Sequence, residues 1–199
     1  MYQKRNNEWE ILALYTGNYA SKWYVRQISK AAKIPLRTTQ NALLSLEKKK
    51  VLQSKTEGKN KYFGLQRDNI QTKLALLQSE IYRTNHFLEA YPQFKMFLKS
   101  LATTAPIILF GSFARGKPSK GSDVDLLVVS EKEQKLPVHL LPNAVHQITL
   151  SEDSVGNGIR ENEALLKEIQ ENHIILNNHS FYINVLWEYY EKRKVDVVL

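Results

Sequence analysis

Two aspartates, Asp123 and Asp125, stand at the head of the apolar run Leu126–Val129. Side chains alternate along an extended strand, so both carboxylates project to one side while Val124 and Leu126 turn to the core. Such a pair suits Mg2+, which takes one or two protein carboxylates and completes its shell with water and substrate phosphates. Ten residues upstream, Gly111-Ser112 follows the short apolar run Pro106-Ile-Ile-Leu-Phe110. A glycine at a strand end lets the backbone approach an anion, and Ser112 can offer its N–H and hydroxyl to a phosphate at a helix start. Arg115 and Lys117 would offset triphosphate charge, and Ser122 completes the candidate nucleotide-binding set. No Gly-Lys-Ser/Thr follows the glycine, so the run is not a P-loop. Neither a Gly-Ser nor an Asp-x-Asp is specific alone, and the chemistry rests on their joint pattern.

That joint pattern is apolar strand, Gly-Ser, ten residues, Asp-x-Asp, apolar strand. It resembles the minimal nucleotidyltransferases of the DNA polymerase β superfamily, over about residues 93–178. The resemblance implies a mixed sheet with helices packed on one face. It also implies Mg2+-assisted transfer of a nucleotidyl group from a nucleoside triphosphate to an acceptor, with Asp123 and Asp125 as the catalytic metal ligands. Proteins of this kind often act as antitoxins that modify a partner protein. A third carboxylate is implied on a later strand, where it completes the metal site and takes the acceptor's proton. The corresponding strand here is Ala144–Leu150, and His146 stands roughly where the aspartate is expected. From the residues alone, His146 reads as a polar side chain on an exposed strand face. Asp196, 71 residues after Asp125, reads as part of a C-terminal tail or edge strand.

Several elements must position these groups. Residues 131–143 contain Pro137 and Pro142, which predicts a reduced or missing helix between the second and third strands. Ser151-Glu-Asp reads as a helix N-terminus, Ile159–Asn172 as a helix, His173–Leu176 as a strand and Phe181–Glu191 as a closing helix. Upstream, Asp68–Ala90 reads as a long amphipathic helix with Ile70, Leu74, Leu77, Ile81 and Leu88 as its apolar stripe. It would serve as a spacer, a packing layer or a homodimer contact. Tyr91-Pro92 breaks it before a shorter helix, Phe94–Ala102. The expected class is α+β, with domains at 1–67, 68–92 (the linker helix) and 93–199.

The first third of the chain carries the positive charge. Residues 1–67 hold 14 Lys and Arg against 4 Asp and Glu, a surplus of +10, while residues 68–199 hold 14 against 16. A basic surface gains affinity for a polyanion by releasing phosphate counterions. Helices are expected at about 9–15, 24–33 and 37–50, the last two separated by Ile34-Pro35, followed by a hairpin around Gly58-Lys-Asn60. Three short helices and a hairpin resemble the winged helix-turn-helix family over about residues 7–66. The resemblance implies double-stranded DNA as partner, read by the start of the third helix and touched by the hairpin. Arg37, Thr38, Gln40 and Asn41 are the candidates on the helix, and Lys55, Lys59 and Lys61 on the hairpin.

Composition excludes other chemistry. The chain has no cysteine, which removes disulfides, thiolate metal sites and cysteine nucleophiles. The five histidines show no metal-ligand spacing, and no apolar run approaches the roughly 18 residues a membrane span needs. A cytoplasmic, membrane-free protein is expected. Two functions fit: a DNA-binding nucleotidyltransferase, or a transcriptional regulator whose nucleotidyltransferase domain binds without turnover. A protein-interaction adaptor is the blander third.

Overall fold

The computed structural model describes residues 5–195. The chain is α+β and forms two compact units, one reaching Tyr82 and including the chain from Leu186 onward, the other Arg83–Val185. In the first unit, α1 (Asn7–Leu12) is capped by Asn6, whose Oδ1 accepts the Glu8 and Trp9 amides at 3.0 and 3.3 Å. A two-residue strand β1 (Trp23–Tyr24) leads into α2 (Val25–Ala31) and then α3 (Leu36–Lys48). Thr39, Ala42, Leu43 and Leu46 form the buried stripe of α3, as the helical period of the sequence predicts. The hairpin is β2 (Leu52–Glu57) and β3 (Asn60–Leu65), closed by Gly58-Lys59 with Glu57 opposite Asn60. Gly58 has φ +61°, the left-handed value that a tight two-residue hairpin turn demands of its first residue. β1 pairs with β3 and widens the hairpin to a three-stranded antiparallel sheet, in a winged-helix-like arrangement. Two residues are too few to leave a periodic signal, so β1 was not expected.

The long helix α4 (Ile70–Ala90) corrects the sequence reading. Ile70, Leu74 and Ile81, expected as its packing stripe, are 60, 47 and 43% exposed. Thr72, Leu76, Ser79, Glu80 and Tyr82 are buried instead. The reason is side-chain-to-backbone hydrogen bonding: Thr72 donates to the Gln66 carbonyl at 2.7 Å and Ser79 to that of Trp9 at 3.0 Å. A hydroxyl that finds a backbone acceptor loses most of its burial penalty.

The second unit begins within α4 and continues with α5 (Phe94–Lys99), then β4 (Ile107–Phe110), the single turn α6 (Gly111–Ala114) and β5 (Val124–Val129). A 3-10 turn at Val138–Leu140 is the only helical piece between β5 and β6 (Val145–Leu150), in keeping with the two prolines there. α7 (Glu152–Glu161), α8 (Ala164–Glu171), β7 (Ile174–Asn177) and α9 (His179–Val195) follow. Sheet order is β6-β5-β4-β7, with β5 and β6 parallel and the other pairs antiparallel, so the sheet is mixed. Phe94, Phe97, Ile107, Leu109, Val124 and Leu126 lie at the heart of its core. The single helix expected at 159–172 is two, because Asn162 adopts φ +56° and ends α7 with a left-handed cap. Ser151 does begin α7, accepting the Ser154 amide at 3.1 Å. Asp196 lies outside the described residues.

Candidate functional site

The carboxylate pair sits where β5 begins. Val124 and Leu126 are fully buried, while Asp123 is exposed and Asp125 half-buried, so strand alternation turns Asp125 away from the core. Antiparallel pairing sets Asp125 opposite Phe110, the last residue of β4, and Gly111 follows at once. Gly111 has φ +68°, and a Cβ placed on it would overlap Oδ2 of Asp125. Glycine is therefore required twice over, by its backbone and by the carboxylate packed against it. The side-chain-free face of Gly111 acts as a cradle that makes room for the Asp125 carboxylate.

Ser112 is half-buried in α6. With one turn, α6 has little macrodipole, so any anion contact here depends on local N–H groups and the Ser112 hydroxyl. The Ser112 carbonyl accepts the Lys117 amide at 3.0 Å, which folds the loop back, and Lys117 itself is exposed. Arg115 is engaged by a residue the sequence reading missed: Nη1 lies 2.7 Å from Oε1 of Glu168 on α8, and both side chains are nearly half exposed. Ser122 closes a turn, its hydroxyl accepting the Ser119 amide at 2.8 Å. Asn143, also missed, donates to the Ser122 carbonyl at 2.9 Å and ties the approach to β6 onto the approach to β5. Neither Glu168 nor Asn143 has a spacing signal, because both contacts are long-range.

His146 is on β6, in parallel register with Asp125. Its Nδ1 stands 3.5 Å from Oδ1 of Asp125, and its side chain is 63% exposed. The side chain is solvent-accessible, as expected, but it faces the carboxylate. Among the described residues no group of three or more His, Asp or Glu side chains is placed to hold a metal ion. The donors present still fit a divalent cation bound partly by substrate, since Asp125 packs against Gly111 at the start of β5 and Asp123 is exposed to solvent.

In the first unit most of the DNA-binding candidates are divided between two grooves. Gln40, Lys59 and Lys61 line a groove of about 510 Å3 together with Arg26, which the sequence reading did not single out. Thr38 and Asn41 line a second groove, of about 630 Å3, beside α1. Arg37 is exposed. Lys61 is paired with Glu47 at 3.0 Å, and Lys55 is 4.0 Å from Glu57. A hydrogen bond from Ser54 first, and then Lys61, hold the Glu47 carboxyl below its usual range.

No helix among the described residues is long and apolar enough to cross a membrane. A family model described as a nucleotidyltransferase domain matches residues 92–198, more than half of the chain. Neither the curated proteins nor the solved structures give a match.

Proposed function

Because the chain belongs to the nucleotidyltransferase-domain family, we propose that Gly111, Ser112, Asp123 and Asp125 bind a nucleoside triphosphate with a divalent cation and pass its nucleotidyl group to an acceptor. The observation that supports this reading is the close packing of the Asp125 carboxylate against Gly111, in space that a side chain at 111 would fill. An acceptor oxygen would form a bond to the α-phosphorus as the α–β bridging bond breaks; pyrophosphate leaves and the acceptor's proton passes to solvent. Asp123 and Asp125 would hold the divalent cation, expected to be Mg2+. Ser112 and the loop to Lys117 hold phosphates, and Ser122 keeps Asp123 presented. A bound cation would polarise the phosphoryl group and offset charge on the leaving pyrophosphate. The test is transfer of label from α-phosphate-labelled triphosphate in an extract of the source cell. Labelling by wild type and not by Asp125→Asn supports the reading, and equal labelling contradicts it.

The first unit would bind duplex DNA, a role supported by the +10 surplus of residues 1–67 and by the groove that gathers Gln40, Lys59 and Lys61. Together these suit a cytoplasmic DNA-linked protein, antitoxin-like in that its acceptor would be a partner protein. Arg37→Glu with Lys59→Glu should abolish duplex binding in an anisotropy titration; unchanged affinity would remove the DNA assignment. One observation favours a second reading, a transcriptional regulator that binds nucleotide without turnover: His146, not a carboxylate, faces Asp125. Nucleotide binding with no transfer to any acceptor would select it.

A further inference from the structure

We infer that the exposed face of α4 between Ile70 and Ile81 is where two copies of this chain meet, as a weak two-fold dimer. The face belongs to the first unit and shares no residue with the groove of Gln40, Lys59 and Lys61. Ile70, Leu74, Leu77 and Ile81 recur at steps of four, three and four, the seam spacing by which one helix packs on another. Ile70, Leu74 and Ile81 nevertheless stand exposed, and Leu77 is half-buried. Beside them runs a groove of about 360 Å3, walled in part by Leu12, Leu46, Val51 and Ala75, which offers an apolar side chain somewhere to insert.

Charge identifies the occupant. The exposed residues of this span are Ile70, Gln71, Leu74, Gln78 and Ile81, and none is ionised. Of the two charged residues here, Glu80 is buried and Lys73 lays its ammonium 5.9 Å from the centre of the Trp187 ring. A solvated helix face ordinarily carries charges, and their depletion marks the centre of an interface. A strongly charged partner would find no counter-charge on this face. A second copy needs none, because a two-fold contact sets the same patch against itself and any charge on it would meet its like. Residues 1–67 carry a surplus of +10, so two copies repel, and a neutral face adds nothing to that repulsion. Gln71 and Gln78 suit the contact as well, since a primary amide is donor and acceptor at once and can pair with its own kind. At about 1.5 Å per residue the face is only about 18 Å long. That is small for an interface, so the dimer dissociates at about 10 μM or above.

The test is sedimentation equilibrium of the full chain at rising concentration, to about 500 μM, well above the dissociation constant expected of so small a face. Neither DNA nor nucleotide is present, so the outcome is independent of both site readings. Wild type is compared with Leu74→Glu and Ile81→Glu on the face, and with Leu44→Glu, an equally exposed leucine on α3 outside it. Tryptophan fluorescence in urea checks that each variant is folded. The mass of wild type should rise from one chain towards two and stop there. Each substitution on the face should weaken the dimer at least about tenfold, because like charges brought together across an interface are costly, while Leu44→Glu should follow wild type. Wild type that keeps the mass of one chain at about 500 μM would overturn the inference and leave the face to a different partner. So would a dimer that survives Leu74→Glu and Ile81→Glu unchanged, a dimer lost equally in Leu44→Glu, or a mass that climbs past two chains.

Discussion

Alanine at position 111 separates two costs that the structure places on one residue. Gly111 and Gly116 have nearly the same φ, +68° and +66°, but a Cβ on Gly116 meets nothing within 4 Å whereas one on Gly111 overlaps the Asp125 carboxylate. Gly116→Ala should therefore cost only the left-handed backbone penalty, about 1–2 kcal/mol. Gly111→Ala must add the displacement of Asp125 from its rotamer, a further ~0.5–1.5 kcal/mol, with steric strain in β4 and β5 on top. Trp9, Trp23 and Trp187 all belong to the first unit, so tryptophan fluorescence does not follow the second. Hydrogen exchange of the β4 and β5 amides does, and it should show the larger loss for Gly111→Ala. Nucleotide affinity should be unchanged in Gly116→Ala and at least about tenfold weaker in Gly111→Ala, because a displaced ligand forfeits its share of the metal. Equal losses of protection, or undiminished nucleotide binding by Gly111→Ala, would refute the cradle.

Further expectations follow from the ion pairs. The Glu47 carboxyl is held below its usual range, first by Ser54 and then by Lys61, so it contributes stability above the ordinary carboxylate pKa of about 4.3 and loses it as pH falls through the lowered value. Glu47→Gln should destabilise the first unit at neutral pH, and the difference from wild type, followed by tryptophan fluorescence in urea, should vanish in strong acid. A difference that persists at low pH would point to packing instead. Glu168→Gln releases Arg115 from a 2.7 Å exposed pair, and should tighten nucleotide binding by up to about fivefold at low salt, the most an exposed pair is worth. No change in calorimetry would take Arg115 out of the binding set.

What the sequence shows plainly is what local rules decide. A glycine ending one apolar strand and alternating aspartates starting the next are enough to locate Gly111 and Asp125, and a 3.6-residue period is enough for Thr39, Ala42, Leu43 and Leu46 on α3. The buried face of α4 escapes the sequence because hydropathy assigns Thr72 and Ser79 to the surface, whereas backbone carbonyls outside the helix, of Gln66 and Trp9, accept their hydroxyls. Asn162 splits a helix because it tolerates a left-handed backbone, a preference that is weak in any one asparagine. Glu168 and Asn143 meet their partners across 53 and 21 residues of chain, distances over which spacing carries no signal. His146 is an intermediate case. Its place in the chain suggested the position of a missing carboxylate, but only the parallel register of β6 shows that it faces Asp125.

Gly111, Ser112, Asp123 and Asp125 are proposed to hold a nucleoside triphosphate with a divalent cation. Calorimetric titration with a non-hydrolysable triphosphate tests it most directly, in Mn2+ and in Mg2+, on wild type and on Asp123→Ala with Asp125→Ala. Saturable binding by wild type that requires the cation and is lost in the double variant is the predicted result. Binding that is equal in both proteins, or absent from wild type with either ion, would contradict it.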